Sequence, residues 1–485
     1  MRIVYLWDSE YPWDVRTEKV CAALTAAGHE VHVVARNRTR LAPVEELPEA
    51  TVHRMAPWPV GASIDAALSF PAFFNPRWVM HLHSVIRRVR PSVLIARDLP
   101  LCPTALAAGR HHGVPVVFDM AENYPAMLRE LWDEGRQRTL DMLVRNPRAA
   151  AAVERACLPR VSRILVVVRE SGERLERLGV PSDRIAVVSN TPPRERAWRA
   201  ETRPLPAGGP LRLVYLGLME AHRGVGEMIE AAALLNNRRK PVHLRLVGEG
   251  RDLQRFRCLA EALSLPASMV EFTGRLPHAQ ALRAVAGADV GVVPHHADEA
   301  WNTTVPNKLF DYMAAGLPVL SSDAAPPARI LAATGAGVVF RSGDARSLAD
   351  ALQPLRDPIV RRRMGEAGRR AVLRTYNWEN DSAVLLQAVE AAAAEAATLP
   401  IGRGFGLRST SSADPHLLTV SEDAGDAGDT GDADQAGEVD ASRASTAISV
   451  VADADADSGD AVAGAIPRMA KATPPAAPTS TNARK

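Results

Sequence analysis

The chain has 485 residues, 47% of them hydrophobic, with 58 Lys and Arg against 56 Asp and Glu for a formal net charge of +2. That length is too great for one ordinary core and fits two globular domains of about 150 to 200 residues with chain to spare. Four scattered cysteines, Cys21, Cys102, Cys157 and Cys258, with no Cys-x-x-Cys spacing, exclude a disulfide framework or a zinc cluster.

The near-neutral total conceals an uneven distribution. Residues 401–485 carry 7 Lys and Arg against 13 Asp and Glu, which leaves residues 1–400 at +8. A mildly basic body suits a phosphate-bearing ligand or an anionic membrane surface, and no nucleic-acid partner is expected. The opening Met1-Arg2-Ile3-Val4-Tyr5-Leu6 runs into the polar Asp8-Ser9-Glu10, too short an apolar stretch for a signal peptide. No later run approaches the roughly 18 to 20 apolar residues of a membrane span. The expected location is the cytoplasm.

In chain order, short β-branched runs alternate with helical patterns: Ile3 to Leu6, Val31 to Val34, Val93 to Ile95, Val116 to Phe118 and Ile164 to Val168. This is the βαβ pattern of a parallel sheet buried on both faces. Thr17 to Ala27 reads as the first crossover helix, closed by Gly28. Residues 1–190 are therefore expected to form a Rossmann-like domain.

Residues 58–90 mix Trp58, Phe70, Phe73, Phe74, Trp78 and Met80 with Arg77, Arg87, Arg88 and Arg90. That mixture suits a peripheral contact with an anionic membrane; a buried helix pair explains the aromatics nearly as well.

Prolines and glycines crowd residues 191–210, the expected interdomain linker. Alternation then restarts over residues 211–375: Leu211 to Leu216, Met228 to Leu235, Leu244 to Val247, Asp252 to Leu263, Val270 to Phe272, Val290 to Val293, Leu309 to Ala315, Pro318 to Leu320 and Gly337 to Phe340. A second doubly wound α/β domain follows from it. Residues 376–400 are expected as a terminal helix crossing back to the first domain. Residues 401–485 are acidic and of low complexity, with too little apolar surface to offset ordering entropy, and are expected to be disordered. Their Asp453-Ala454-Asp455 is a chance match to an Asp-x-Asp metal motif.

The most informative stretch is residues 302–319, Asn-Thr-Thr-Val-Pro-Asn-Lys-Leu-Phe-Asp-Tyr-Met-Ala-Ala-Gly-Leu-Pro-Val. A helix opening near Pro306 and Asn307 offers free N–H groups and a dipole to an anion, and Lys308 adds a full charge. Asp311, one turn on, suits a ribose diol. A second candidate site is Gly217-Leu-Met-Glu-Ala-His-Arg223-Gly224, where a strand-ending glycine admits a ligand and a loop arginine meets a diphosphate. Gly248 and Gly274 end two further strands. An ordinary helix with an incidental lysine and a ligand-free surface arginine are the plain alternatives.

These stretches resemble glycosyltransferase family 4, whose donor helix in one variant reads Pro-x-Lys-x-Phe-Glu-Tyr-Met-Ala-x-Gly-x-Pro-Val. Asp311 replaces its glutamate, Thr303 stands at an earlier glutamate position, and Leu218 stands where a second basic residue usually lies. The resemblance extends to Val247-Gly248-Glu-Gly250 and Phe272-Thr-Gly274-Arg275-Leu-Pro277. In the first domain, Pro12-Trp13-Asp14-Val-Arg16 is similar to a Pro-x-Asp-x-Arg loop, with Arg16 in a structural salt bridge as the alternative. Asp119-Met-Ala121-Glu122-Asn-Tyr-Pro125 is similar to Asp-x-His-Glu-x-Tyr-Pro, with Ala121 in the histidine's place.

The resemblance implies a GT-B fold, two Rossmann-like doubly wound domains facing a cleft, and a retaining transferase that uses a nucleotide sugar. Gly217, Arg223, Gly224, Gly248, Pro306, Asn307, Lys308 and Asp311 would bind the donor. Asp14, Arg16 and Glu122 would meet a glycan or lipid-linked acceptor. Arg223, Lys308 and Asp119 would be catalytic. No metal and no resident cofactor are expected, the nucleotide sugar being a substrate. His81, His83, His295 and His296 come in near pairs without Asp, Glu or Cys spacing to complete a metal site, and are expected at the surface or in packing. A non-catalytic nucleotide-sugar-binding subunit and a GT-B sugar-nucleotide epimerase are the rival readings.

Overall fold

The computed structural model describes residues 1–12, 14–56, 58, 64, 73–133, 146–198 and 209–398. The acidic segment 401–485 and residues 199–208 of the expected linker lie outside them, as do Trp13 and Phe70.

The first domain is an eight-stranded sheet: β1 (Arg2–Leu6), β2 (Glu30–Ala35), β3 (Val44–Glu46), β4 (Thr51–Arg54), β5 (Val93–Arg97), β6 (Val116–Met120), β7 (Arg163–Val166) and β8 (Ile185–Val187). Their order is β3-β4-β2-β1-β5-β6-β7-β8, parallel except where β3 pairs with β4. The continuous β-branched runs are buried on both faces, as parallel strands between helices must be. Strands β3, β4 and β8 lie toward the edges, and their short runs carry too little periodicity to be picked out from sequence.

The second domain has six parallel strands, β9 (Leu211–Leu216), β10 (Val242–Val247), β11 (Val270–Gly274), β12 (Val290–Val293), β13 (Val319–Ser322) and β14 (Gly337–Phe340). They run in the order β11-β10-β9-β12-β13-β14. Strand order reverses at β1/β5 in one sheet and at β9/β12 in the other. In open α/β sheets, ligand crevices form outside the carboxyl ends of such pairs.

The domains share an apolar seam, in which Ala121, Val167 and Val168 of the first join Val305, Leu309 and Phe310 of the second. Helix Trp378–Thr398 returns to the first domain and buries Leu385, Ala388, Val389 and Ala392 against its sheet. Small side chains at two of these positions permit close approach, while Leu385 and Val389 each contribute about 1.5 to 3 kcal/mol of burial. The crossing is clasped at its base. Trp378 N donates to Pro192 O at 3.0 Å, Thr191 Oγ1 donates to Asp381, and Lys19 Nζ reaches Thr191 O at 2.5 Å.

Candidate active site

At the carboxyl end of β9 the chain turns at Gly217, φ +146, and against it lies Gly248, φ +141, at the end of β10. A Cβ on Gly248 would lie 1.9 Å from Gly217 O, so the two strand ends meet backbone to backbone. Gly224, φ +70, packs similarly on Pro294 O and starts helix Val225–Asn237. These contacts form a tight corner where a ligand approaches the main chain.

Helix Asn307–Ala314 points its N-terminus at this corner. Pro306 is its N-cap, with φ −65 and ψ 129, one position earlier than a first-turn proline. Asn307 begins the helix. Lys308 is buried, and its Nζ sits 4.4 Å from the Tyr215 ring, beside Gly217. Arg223 is also buried, with Nε 3.3 Å from Glu220 Oε2 and its guanidinium 5.4 Å from the Trp301 ring. Asp311 does not stand open to a ribose: Arg196, from the start of the interdomain connection, holds its carboxylate at 2.5 Å.

Two further residues complete this group: His295, which the sequence offered only as a surface or packing histidine, and Trp301, which it did not single out. His295, at the end of β12, is 1% exposed, and both ring nitrogens are buried without a hydrogen-bond partner among the described residues. Its ring centroid lies 4.1 Å from that of Trp301, whose Nε1 is likewise unpartnered. Burial, then the charges of Lys308 and Arg223, push His295 well below its ordinary pKa, so it is neutral at pH 7. A buried imidazole without partners beside two cations is costly unless a ligand supplies the missing acceptors and negative charge. The signal was present in Pro294-His295-His296 directly after a four-residue apolar strand, but its value depends on β12 lying next to β9. His296, by contrast, is a packing residue, 2.9 Å from Glu227.

Across the cleft, the first domain gives Asp119, Arg16 and Asp14 internal partners. Asp119 is fully buried and its oxygens are taken: Tyr5 Oη donates at 2.6 Å, Arg16 Nε at 3.0 Å and Arg16 Nη2 at 2.6 Å. Burial raises its pKa, but the Arg16 charge and hydrogen bond outweigh that and hold it below the usual carboxylate range. Arg16 spends its remaining Nη1 on Val188 O at 2.8 Å. Asp14 is the N-cap of helix Val15–Ala26, accepting from Thr17 N and Thr17 Oγ1, each at 2.7 Å. Asp119, Arg16 and Asp14 are therefore internal struts that tie β1, β6 and the first helix together. Asp14 also lies 3.4 Å from Arg97 Nη1 through Oδ1.

What faces the second domain is Glu122. Burial, then the charge of Asp98, pushes its pKa up to about 8, while Arg97 and Arg223 pull it down. Beside it Asn123 Nδ2 donates to Thr303 Oγ1 at 3.2 Å, joining the domains. Helix Tyr124–Asp133 closes one side of the cleft: Arg129 pairs with Glu299, and Glu130 lies 3.6 Å from His222. The structure thus gathers Gly217, Arg223, Gly248, Lys308, His295, Trp301 and Glu122 about one cleft. Asp14, Arg16 and Asp119 are buried within the first domain.

The aromatic and basic set divides in the same way. Trp78 is fully buried, Arg77 is nearly so and Phe73 packs on the core, whereas Trp58, Phe74, Met80, Arg87 and Arg88 are exposed. No helix among the described residues is long and apolar enough to cross a membrane.

Comparison with known proteins gives two family matches, the glycosyl transferase 4-like domain over residues 14–191 and glycosyl transferases group 1 over residues 199–371. The phosphatidyl-myo-inositol mannosyltransferase of Mycobacterium leprae is 30% identical over 183 residues, 37% of this chain and 46% of that protein. The chain thus spans about half the length of that relative. The glycogen synthase of Mycobacterium tuberculosis is 25% identical over 391 residues, 76% of this chain and 88% of that protein. Among solved structures, sucrose-phosphate synthase from Thermosynechococcus elongatus superposes with a TM-score of 0.64 at 18% identity, covering 81% of this chain and 100% of that one. Anabaena HepE in complex with UDP and glucose gives 0.60 at 14% identity, covering 80% and 99%. At these identities the structural likeness is one of fold, the GT-B pair of Rossmann-like domains.

Proposed function

We propose that the chain, a glycosyl transferase 4-like domain joined to a group 1 domain, is a glycosyltransferase that moves a hexose from a nucleotide sugar to a glycan or lipid-linked acceptor with retention of configuration. The observation that carries this reading is the convergence of buried Lys308, Arg223 and His295 at the carboxyl ends of β9 and β12. Lys308 and Arg223 would stabilise the departing nucleoside diphosphate, whose charge grows as the glycosidic bond breaks; fixed charge in a dry cleft acts most strongly at that moment. No metal or resident cofactor is required in this scheme. The diphosphate oxygen itself would take the acceptor proton, with the protonated Glu122 positioned to donate a hydrogen bond rather than to act as base.

The exposed Trp58, Phe74 and Met80 with Arg87 and Arg88 support a peripheral contact with the cytoplasmic face of a membrane, where a lipid-linked acceptor would reside. Complexes of HepE with UDP-glucose and the relation to a phosphatidyl-inositol mannosyltransferase support a nucleotide-sugar donor and such an acceptor.

The test is a thermal-shift series with UDP, GDP, ADP and CMP in EDTA, on the parent, Arg223→Ala and Lys308→Ala, followed by product analysis with and without acceptor. Stabilisation of the parent by one nucleotide, lost in both variants, with product formed only when acceptor is present, is the expected result. Conversion of the donor alone would make the chain an epimerase. No stabilisation by any nucleotide would overturn the donor site.

A further inference from the structure

Away from the cleft, three imidazoles converge. His83 lies on helix Pro76–Val89, and His111 and His112 are the last two residues of helix Cys102–His112. His83 Nδ1 and His112 Nε2 are 2.8 Å apart, and one ring nitrogen from each of the three lies within 4.8 Å of the others. Ring centroids are separated by 5.1, 4.9 and 4.8 Å.

We propose that His83, His111 and His112 form a binding site for a transition-metal dication of the zinc, nickel or copper class, bridging the two helices. Imidazole nitrogen is the donor that such ions favour, whereas magnesium and calcium require oxygen. A tetrahedral zinc with bonds of about 2.0 to 2.1 Å needs ligand nitrogens roughly 3.3 Å apart. The His83–His112 pair opens by a few tenths of an ångström to meet this, and His111 swings inward from an exposed position. The fourth position is left for water.

The electrostatics divide. Burial, followed by the neighbouring histidines and Arg87, lowers the pKa of His83 and His112, so both are neutral at pH 7 and keep a lone pair for a metal. The C-terminus of helix Cys102–His112 also presents its negative dipole end to a cation there. Arg87 opposes binding.

The site is not catalytic. Helix Cys102–His112 runs from the carboxyl end of β5 back to the amino end of β6, which puts its last residues on the edge of the sheet opposite the cleft. A metal there would fasten two surface helices of the first domain, stabilising the folded chain by binding it alone.

The experiment is calorimetric titration of the full chain, stripped with EDTA and exchanged into chelator-free buffer, with zinc and separately with magnesium. One equivalent of zinc should bind and raise Tm, while magnesium does neither. His83→Ala and His112→Ala should each weaken zinc roughly tenfold or more. His243→Ala, a histidine elsewhere on the surface, should not, and Arg87→Gln should tighten binding. X-ray absorption on the zinc-loaded parent should report three imidazole nitrogens. Absence of stoichiometric zinc binding, or binding unchanged in both His83→Ala and His112→Ala, would overturn the proposal. These substitutions avoid the cleft, so a nucleotide-induced shift retained by all of them keeps this result separate from that for the donor site.

Discussion

The ammonium of Lys308 fills the space that a side chain on Gly217 would need: a Cβ there would lie 2.5 Å from Nζ, on a backbone with φ +146. The lysine therefore takes its position from the absence of a side chain one strand away. Gly217→Ala should push the ammonium aside and strain the strand end by about 1 to 3 kcal/mol, weakening nucleotide binding roughly tenfold or more. Gly335→Ala is the control, since φ is +67 there and nothing lies within 4 Å of the added carbon. It should lower Tm and leave the nucleotide dissociation constant unchanged in a titration.

Asp119 and Arg16, 103 residues apart, form a buried pair in which each leaves the other with an unpaired charge if removed. Asp119→Ala should cost about 3 to 5 kcal/mol in urea unfolding. Because the folded-state pKa of Asp119 is depressed, its contribution is present above the unfolded value near 4 and is lost as pH falls through the lower folded value. The acid limb of the parent's stability curve should therefore be steeper than the variant's. Unchanged nucleotide affinity in the folded variant would separate this structural role from a catalytic one.

His295 makes donor binding sensitive to protons. Lys308 and Arg223 help hold its pKa well below the ordinary value, and a diphosphate between them would offset those charges and raise it. Nucleotide binding near pH 6 should then take up protons, seen as a binding enthalpy that varies with the ionisation enthalpy of the buffer. His295→Ala should remove that uptake, leaving only the proton exchange of the nucleotide's own terminal phosphate, whose second ionisation lies at about pH 6.

Glu122 titrates in the opposite sense to Asp119. Its folded pKa of about 8 exceeds the ordinary value, so the folded state binds the extra proton. Its contribution is full below the unfolded value near 4.3 and is lost as pH rises toward 8. Glu122→Gln, which keeps the neutral form, should flatten the fall in Tm between about pH 5 and 8. An unaltered slope would count against a half-buried, protonated Glu122.

Arg196 competes for the carboxylate proposed to bind ribose. The pair with Asp311 is partly exposed, and such pairs contribute about 0 to 1 kcal/mol. Arg196→Ala should therefore tighten nucleotide binding by up to about fivefold, and Asp311→Asn should reverse the gain. Equal affinity in all three proteins would remove Asp311 from the donor site.

By itself the sequence determined whatever depends on near neighbours along the chain. Alternating β-branched runs and helical periods set the strands of two parallel sheets, as with Leu211–Leu216 and Val290–Val293, because burial on both faces demands continuous apolar side chains. Gly217 and Gly248 at strand ends, and Lys308 in the first turn of a helix, were visible for the same reason: backbone conformation and helix polarity are local. Tertiary structure decided which of those groups share a space. Arg16 and Asp119 look like ligand contacts in isolation, and the sheet order that sets β1 two strands from β6 turns them into a strut. His295 acquires its place when β12 pairs with β9, and His83 meets His112 when two helices pack on one face of the sheet. Such meetings depend on the order in which distant strands pair, and residue spacing along the chain does not encode the distance between side chains that pairing brings together.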